Sequence, residues 1–218
     1  VNCRDLRYGW CSDRLGTLLA TGQMAVFAEL GHFHTEEDCN STIGVRIDQL
    51  VAHWYRIRPW SSPSQEEVVQ RILDQVIALI LQEGQPKAGV LEALDLIEAQ
   101  GLKIGLATSS PFAMVEAVLG KLGIQDRFMA VHSAEVERFG KPHPDVYIHA
   151  AEKLGVEPVH CLAIEDSFTG LLAAKAASMT ALIVPDPALV GDPRLAIANH
   201  ELRSLAELNA EMLAGWVK

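Results

Sequence analysis

The sequence has no long apolar run, no excess of basic residues and no paired-cysteine motif, and each absence removes a class of function. Its longest apolar stretch, VIALILQ after Gln75, is far shorter than the roughly 20 residues a membrane-spanning helix requires. Lys and Arg number 18 against 28 Asp and Glu, a formal net charge of −10. Neither nucleic acid nor an anionic membrane therefore finds the basic face it needs. A small anionic substrate remains compatible, because a few local cations and a metal can hold a phosphate on an acidic protein. The four cysteines, Cys3, Cys11, Cys39 and Cys161, show no C-x-x-C or other metal spacing, so a reducing, cytoplasmic setting is expected rather than a disulfide scaffold. The N-terminus lacks the basic region and apolar stretch of a signal peptide. The abrupt start at Val1 reads as though the natural beginning were missing.

What is present is a well-ordered pattern after an ill-ordered start. Residues 3–22 show neither a helical nor a strand period. Residues 24–84 read as all-helical: MAVFAEL, RIDQLVAHWYRI and SQEEVVQRILDQVIALILQ. The last opens on Ser64 with Glu67 three residues on, a helix-start signal. After Gly84, helix and strand alternate. The spacing predicts helices in GVLEALDLIEAQG, PFAMVEAVLGKLG, PDVYIHAAEKLG, TGLLAAKAAS and SLAELNAEML, and strands in KIGLAT, FMAVHS, HCLAIED and TALIVP. Short, almost continuously apolar strands between helices imply a parallel sheet covered on both faces. Such sheets bind ligands at the carboxyl ends of their strands. No G-x-G-x-x-G is present, which argues against a dinucleotide-binding domain.

Three strand ends carry polar residues. In LATSSPF, the hydroxyls of Thr108, Ser109 and Ser110 and the amides of a helix start suit an oxyanion or phosphate; the same residues could simply cap the helix. In ERFGKPHPDVY, Lys141 can offer a point charge to phosphate, or be a solvated loop lysine. In CLAIEDSFTG, Glu165 and Asp166 are costly at a buried strand end unless they meet a cation. Oxygen-only ligands favour Mg²⁺, although Asp166 or Ser167 could also cap the next helix.

Taken together, Thr/Ser, then Lys, then an acidic pair at successive strand ends resemble the haloacid dehalogenase-like phosphatases. The resemblance covers residues 24–218 through KIGLATSSP, GKPHPDVY and AIEDSFTGLLAAKAA. It is closest to bacterial sugar-phosphate phosphatases of the hexitol or 2-deoxyglucose-6-phosphate type, with β-phosphoglucomutase a near relative. The fold it implies is α/β: a Rossmann-like parallel sheet with helices on both faces and an inserted all-helical cap. Residues 1–23 would be an aberrant N-terminal segment, 24–84 the cap and 85–218 the core. By the same resemblance, Thr108 and the Ser109 amide hold phosphate oxygens, and Lys141 neutralises transition-state charge. Glu165 and Asp166 bind Mg²⁺ directly or through water. The cap selects a small phosphorylated sugar or sugar alcohol. Arg46, with His53 or Tyr55, is a candidate cap contact, helix packing being the other reading of the last two. A monomer is expected, with neither nucleic acid nor membrane as partner.

One part of the family pattern is missing. The family's first strand ends in D-x-D, one aspartate attacking phosphorus and the other acting as general acid and base. No D-x-D precedes the cap; Asp5 and Asp13 are isolated. The genetic code suggests why. Codons permitted for Leu6 through Gly22 can be chosen so that reading from the second base gives F-D-M-D-G-V-L-I-D-S-E-P-F-W-R-Q-A, a good match to the family's first motif. Residues from about Val1 to Gln23 thus read as an out-of-frame nucleophile segment, its aspartates falling near Arg7–Tyr8 and Gly9–Trp10. The chain as it stands is expected to be inactive or impaired, and its central strand absent or replaced by a poor substitute such as CRDLRY. The alternatives are a non-catalytic sugar-phosphate-binding protein or β-phosphoglucomutase-like phosphotransfer. A dehalogenase-type relative is disfavoured by the acidic pair.

Overall fold

The computed structural model describes residues 3–6 and 15–216, with side chains described from Leu18 onward. In chain order it runs β1 (Cys3–Leu6), then the helices α1 (Leu15–Glu29), α2 (Glu36–Asn40), α3 (Ile47–Ile57), α4 (Gln65–Glu83) and α5 (Val90–Ala99). Alternation follows: β2 (Lys103–Thr108), α6 (Phe112–Leu122), β3 (Ala130–Ser133), α7 (Asp145–Leu154), β4 (Cys161–Glu165), α8 (Phe168–Ala176), β5 (Thr180–Ile183), β6 (His200–Glu201) and α9 (Ala210–Trp216).

Among the described residues, six strands form one sheet in the order β3-β2-β1-β4-β5-β6, every pair parallel. The α/β class read from the sequence is therefore the fold. Cys3–Leu6 fills the central place, Cys3 pairing with Lys103 on one side and Cys161 on the other. Strand order reverses between β1 and β4, so the crevice such sheets use for ligands lies at the ends of β1, β2 and β4.

Alternation along each strand sorts the two faces. Ile104, Leu106, Leu162, Ile164 and Leu182 join a core with α5, α6 and the helices ahead of α5. Ala107, Ala163, Ala181 and Ile183 face α7 and α8, whose Ala150, Ala151, Ala173 and Ala174 permit close packing. Each fully buried Leu or Ile contributes about 1.5–3 kcal/mol.

Several boundaries differ from the sequence reading. Helix α1 starts at Leu15, nine residues before the expected MAVFAEL. LGTLLATGQMAVFAE is apolar nearly all round, so it carries no stripe to recognise, and packing against α4 sustains it. Helix α2 was not anticipated; Thr35 and Asp38 form a reciprocal capping box at its start. SLAELNAEML is not one helix. Ser204 caps a 3-10 turn at Leu205–Glu207, Leu208 is extended, and Asn209 restarts the chain as α9 by accepting from the Met212 amide. The two-residue β6 was also missed, being too short to show a period. The Ser64 start signal is present, its hydroxyl accepting from the Glu67 amide at 3.2 Å.

Candidate active site

Thr108 is the last residue of β2 and is buried, with Ser109 beside it. The Thr108 Oγ1 accepts from the Ser110 amide at 3.0 Å, forming a tight turn. Neither residue caps α6. The cap position is Pro111, without a side-chain bond, and the Phe112 amide donates to Glu135 Oε2 at 2.8 Å. The turn is anchored from the neighbouring strand, where Ser133 Oγ donates to the Ser110 carbonyl at 2.6 Å.

Lys141 is not a solvated loop lysine. Its ammonium donates to the Ala107 carbonyl at 3.2 Å, the Tyr147 hydroxyl at 2.9 Å and Glu165 Oε1 at 3.0 Å. The Lys141 and Glu165 side chains are both 0 % exposed. Two charges so placed lose several kcal/mol each in hydration and persist only with good mutual geometry and further hydrogen bonds. Those come from the Ala107 carbonyl and from Tyr147, whose hydroxyl also bonds Glu165 Oε1. A buried cation is thereby fixed beside Thr108, at the ends of β2 and β4.

Glu165 ends β4 and Asp166 follows it, partly exposed. The cap of α8 is Ser167, whose hydroxyl accepts from the Gly170 amide and donates to Glu165 Oε2 at 3.3 Å. Helix capping therefore accounts for Ser167, leaving Asp166 partly exposed and Glu165 buried at the end of β4. Their oxygen donors suit a hard cation such as Mg²⁺.

Arg46 precedes α3 and spans the helical segment and the core. Its Nη1 donates to the carbonyls of Ala134 and Glu137 at 2.8 and 2.9 Å, and its other nitrogens grip Asp48. Those bonds hold Arg46 above and Asp48 below their ordinary pKa values. A Cβ at Gly140 would lie 2.8 Å from Arg46 Cδ, so the loop to Lys141 needs glycine there for the approach. His53 packs on Trp54 and Tyr55 on Trp60, ring centroids 5.0 and 4.8 Å apart.

Thr108, Ser109, Lys141, Glu165 and Asp166 thus all stand at the carboxyl ends of β2 and β4 or on the loop that reaches them. Sequence reasoning missed Tyr147, which lies on the buried face of α7; its position six residues after Lys141 carried no recognisable signal. It also missed Ser133, whose place at a strand end beside Thr108 could have indicated it. The expected aspartate positions, Arg7–Tyr8 and Gly9–Trp10, and Asp13 lie outside the described residues, as does the side chain of Asp5.

Residues 17–178 match the family model of the haloacid dehalogenase-like hydrolases. The chain is 43% identical over 194 residues to hexitol phosphatase B of Escherichia coli K12, covering 88% of this chain and 87% of that protein. It is 37% identical over 125 residues to the β-phosphoglucomutase of Bacillus subtilis, covering 57% of this chain and 52% of the other. Among solved structures, CbbY from Rhodobacter sphaeroides in complex with phosphate superposes with a TM-score of 0.87 over 99% of both chains, at 22% identity, a likeness of fold.

Proposed function

The chain belongs to the haloacid dehalogenase-like hydrolases, and on that premise we propose that it is by descent a Mg²⁺-dependent phosphatase of sugar or sugar-alcohol phosphates whose attacking carboxylate is missing. The observation that carries the reading is the Lys141 ammonium, sealed from solvent between Glu165, Tyr147 and the Ala107 carbonyl beside Thr108. A fixed charge there meets a phosphoryl group without reorganisation as negative charge develops. The substrate class is supported by the likeness to hexitol phosphatase B.

In this reading the Thr108 hydroxyl and Ser109 amide orient the phosphate oxygens, and Lys141 stabilises them. Glu165 and Asp166 would hold Mg²⁺, directly or through water, with the Glu165 oxygens also bonded to Lys141, Tyr147 and Ser167. Bound there, Mg²⁺ would supply Lewis-acid neutralisation of the phosphoryl charge. The helices of residues 24–84 act as the cap, excluding water and selecting the sugar, with Arg46 as the candidate cap contact, itself tied to the core through the Ala134 and Glu137 carbonyls. A cytoplasmic monomer completes the proposal, and the buried free thiols of Cys39 and Cys161 support a reducing setting.

The missing part is the nucleophile, and the out-of-frame reading of residues 1–23 explains its loss. Strand β1 ends at Leu6, and the regrouped codons would put aspartates at the next positions, 7 and 9. Gln23, near which the frame would return, is buried, and its Oε1 has no partner among the described residues. The nucleotide sequence of these codons tests this step directly: if they cannot be regrouped into D-x-D, the frame account fails.

A second reading, a non-catalytic sugar-phosphate-binding protein, rests on the same cradle of Thr108, Lys141 and the acidic pair. Calorimetry with phosphate and Mg²⁺ beside a phosphate-release assay separates the two. A defective phosphatase is expected to release no phosphate from hexose 6-phosphates, whereas a binding protein also retains measurable affinity for them. Robust turnover by this chain refutes both.

A further inference from the structure

Away from the strand-end crevice, three side chains converge on a single oxygen. Glu137 Oε1 lies 2.5 Å from His132 Nε2 and 2.6 Å from His149 Nδ1. The three atoms lie within 4.8 Å of one another. His132 comes from the edge strand β3, Glu137 from the loop after it and His149 from α7. The side chains of His132 and Glu137 are 6% and 7% exposed, whereas His149 is 42% exposed.

We propose that His132, Glu137 and His149 form a second divalent-cation site, selective for a borderline metal such as Zn²⁺ and distinct from the oxygen-donor pair Glu165/Asp166. Two imidazoles and a carboxylate suit Zn²⁺ and disfavour Mg²⁺, which seeks oxygen ligands. Bond lengths near 2.0–2.1 Å in a tetrahedral shell place ligand atoms about 3.3 Å apart. Each imidazole nitrogen must therefore retreat from Glu137 Oε1 by less than about 1 Å to admit the ion. Partly exposed His149 can make that adjustment by a small rotation, and its solvent-facing side can admit water to the remaining position. His132 Nδ1 has no hydrogen-bond partner among the described residues, so the ring lacks the outer partner that strengthens metal sites. An affinity on the order of micromolar follows, rather than that of a fully supported structural zinc site.

The location gives the ion a consequence. The Glu137 carbonyl accepts from Arg46 Nη1, and the same loop continues to Lys141. Zn²⁺ would staple β3 to α7 through this loop and so brace both the Arg46 contact and the approach to Lys141. The inference is independent of whether the nucleophile segment is intact.

The test is isothermal titration of the full-length, metal-stripped protein with zinc chloride in millimolar Mg²⁺, with thermal melting in parallel. The proposal expects one Zn²⁺ per chain and a higher melting temperature on binding. His149→Ala and Glu137→Gln should weaken binding at least about a hundredfold, beyond the 10–100-fold typical of outer-shell changes alone, and abolish the thermal shift. His160→Ala, an exposed histidine elsewhere, should leave both unchanged. His149 is partly exposed, so its removal does not hollow the core, and circular dichroism verifies that the variant is folded. Unaltered Zn²⁺ binding by folded His149→Ala overturns the proposal, as does absence of binding by the unmodified chain at 100-fold above micromolar Zn²⁺. In either case the three groups are a hydrogen-bonded cluster only.

Discussion

Lys141 Nζ and Glu165 Oε1 stand 3.0 Å apart, and neither side chain reaches solvent. This pair ties the loop after β3 to the end of β4. Removing one member leaves the other charged and buried, so Glu165→Gln is expected to destabilise the fold by about 3–5 kcal/mol. Tyr147→Phe deletes a hydroxyl bonded to both and should cost less, about 1–3 kcal/mol. Urea unfolding of the two variants checks the order; equal, negligible losses would show that the pair is not the fixed element described.

Arg46 links the helical segment to the core through two carbonyls and is itself aligned by Asp48. Arg46→Ala should free the loop over residues 134–140 and cost about 1–3 kcal/mol. Arg46→Lys should rescue only part of this, since an ammonium cannot reproduce the planar fork. Amide exchange in that loop is the readout, and it should speed up in both variants.

His34 lies stacked on Phe27 and against Trp54, with centroid separations of 4.2 and 4.4 Å. Burial lowers its pKa below the ordinary 6.5; Asp38 opposes the shift, while Arg58 and His32 add to it. The unfolded chain therefore takes up this proton more readily than the folded one. The associated stability is fully present above about pH 6.5 and is lost as pH falls from there through the depressed folded value. The urea midpoint should drop between pH 7.5 and 5.5, and His34→Phe should lessen the drop. An identical pH slope in the variant contradicts this assignment.

The positions after β1 give a gain-of-function test. Arg7→Asp combined with Gly9→Asp restores a D-x-D at the end of the central strand. Mg²⁺-dependent phosphate release should rise from background in the double variant and stay at background with Arg7→Asn and Gly9→Asn. Equal activity in the two pairs would remove the proposed role of these positions.

The core was legible because its strands are short apolar runs and its polar residues gather at their ends. KIGLAT, HCLAIED and GKPHPDVY placed Thr108, Glu165 and Lys141 without any knowledge of distance. Tyr147 was not legible, because a tyrosine on an apolar helix face reads as packing until the fold brings Lys141 and Glu165 to its hydroxyl. The His132–Glu137–His149 cluster escaped for a similar reason. His132 and His149 are 17 residues apart on a strand and a helix, and only tertiary packing joins them. Helix α1 was misjudged at its start because a helix that is apolar on most sides shows no period. The terminal SLAELNAEML failed where two caps, Ser204 and Asn209, compete with helix propensity over ten residues.

The proposed function makes this chain a phosphatase scaffold without its attacking group. The most direct measurement is Mg²⁺-dependent phosphate release from hexitol and hexose 6-phosphates by the unaltered chain, beside a chain whose residues 6–22 are replaced by the regrouped string. Background release is expected from the first and catalytic turnover from the second. Turnover by the unaltered chain, or silence from a folded restored chain, contradicts the proposed function.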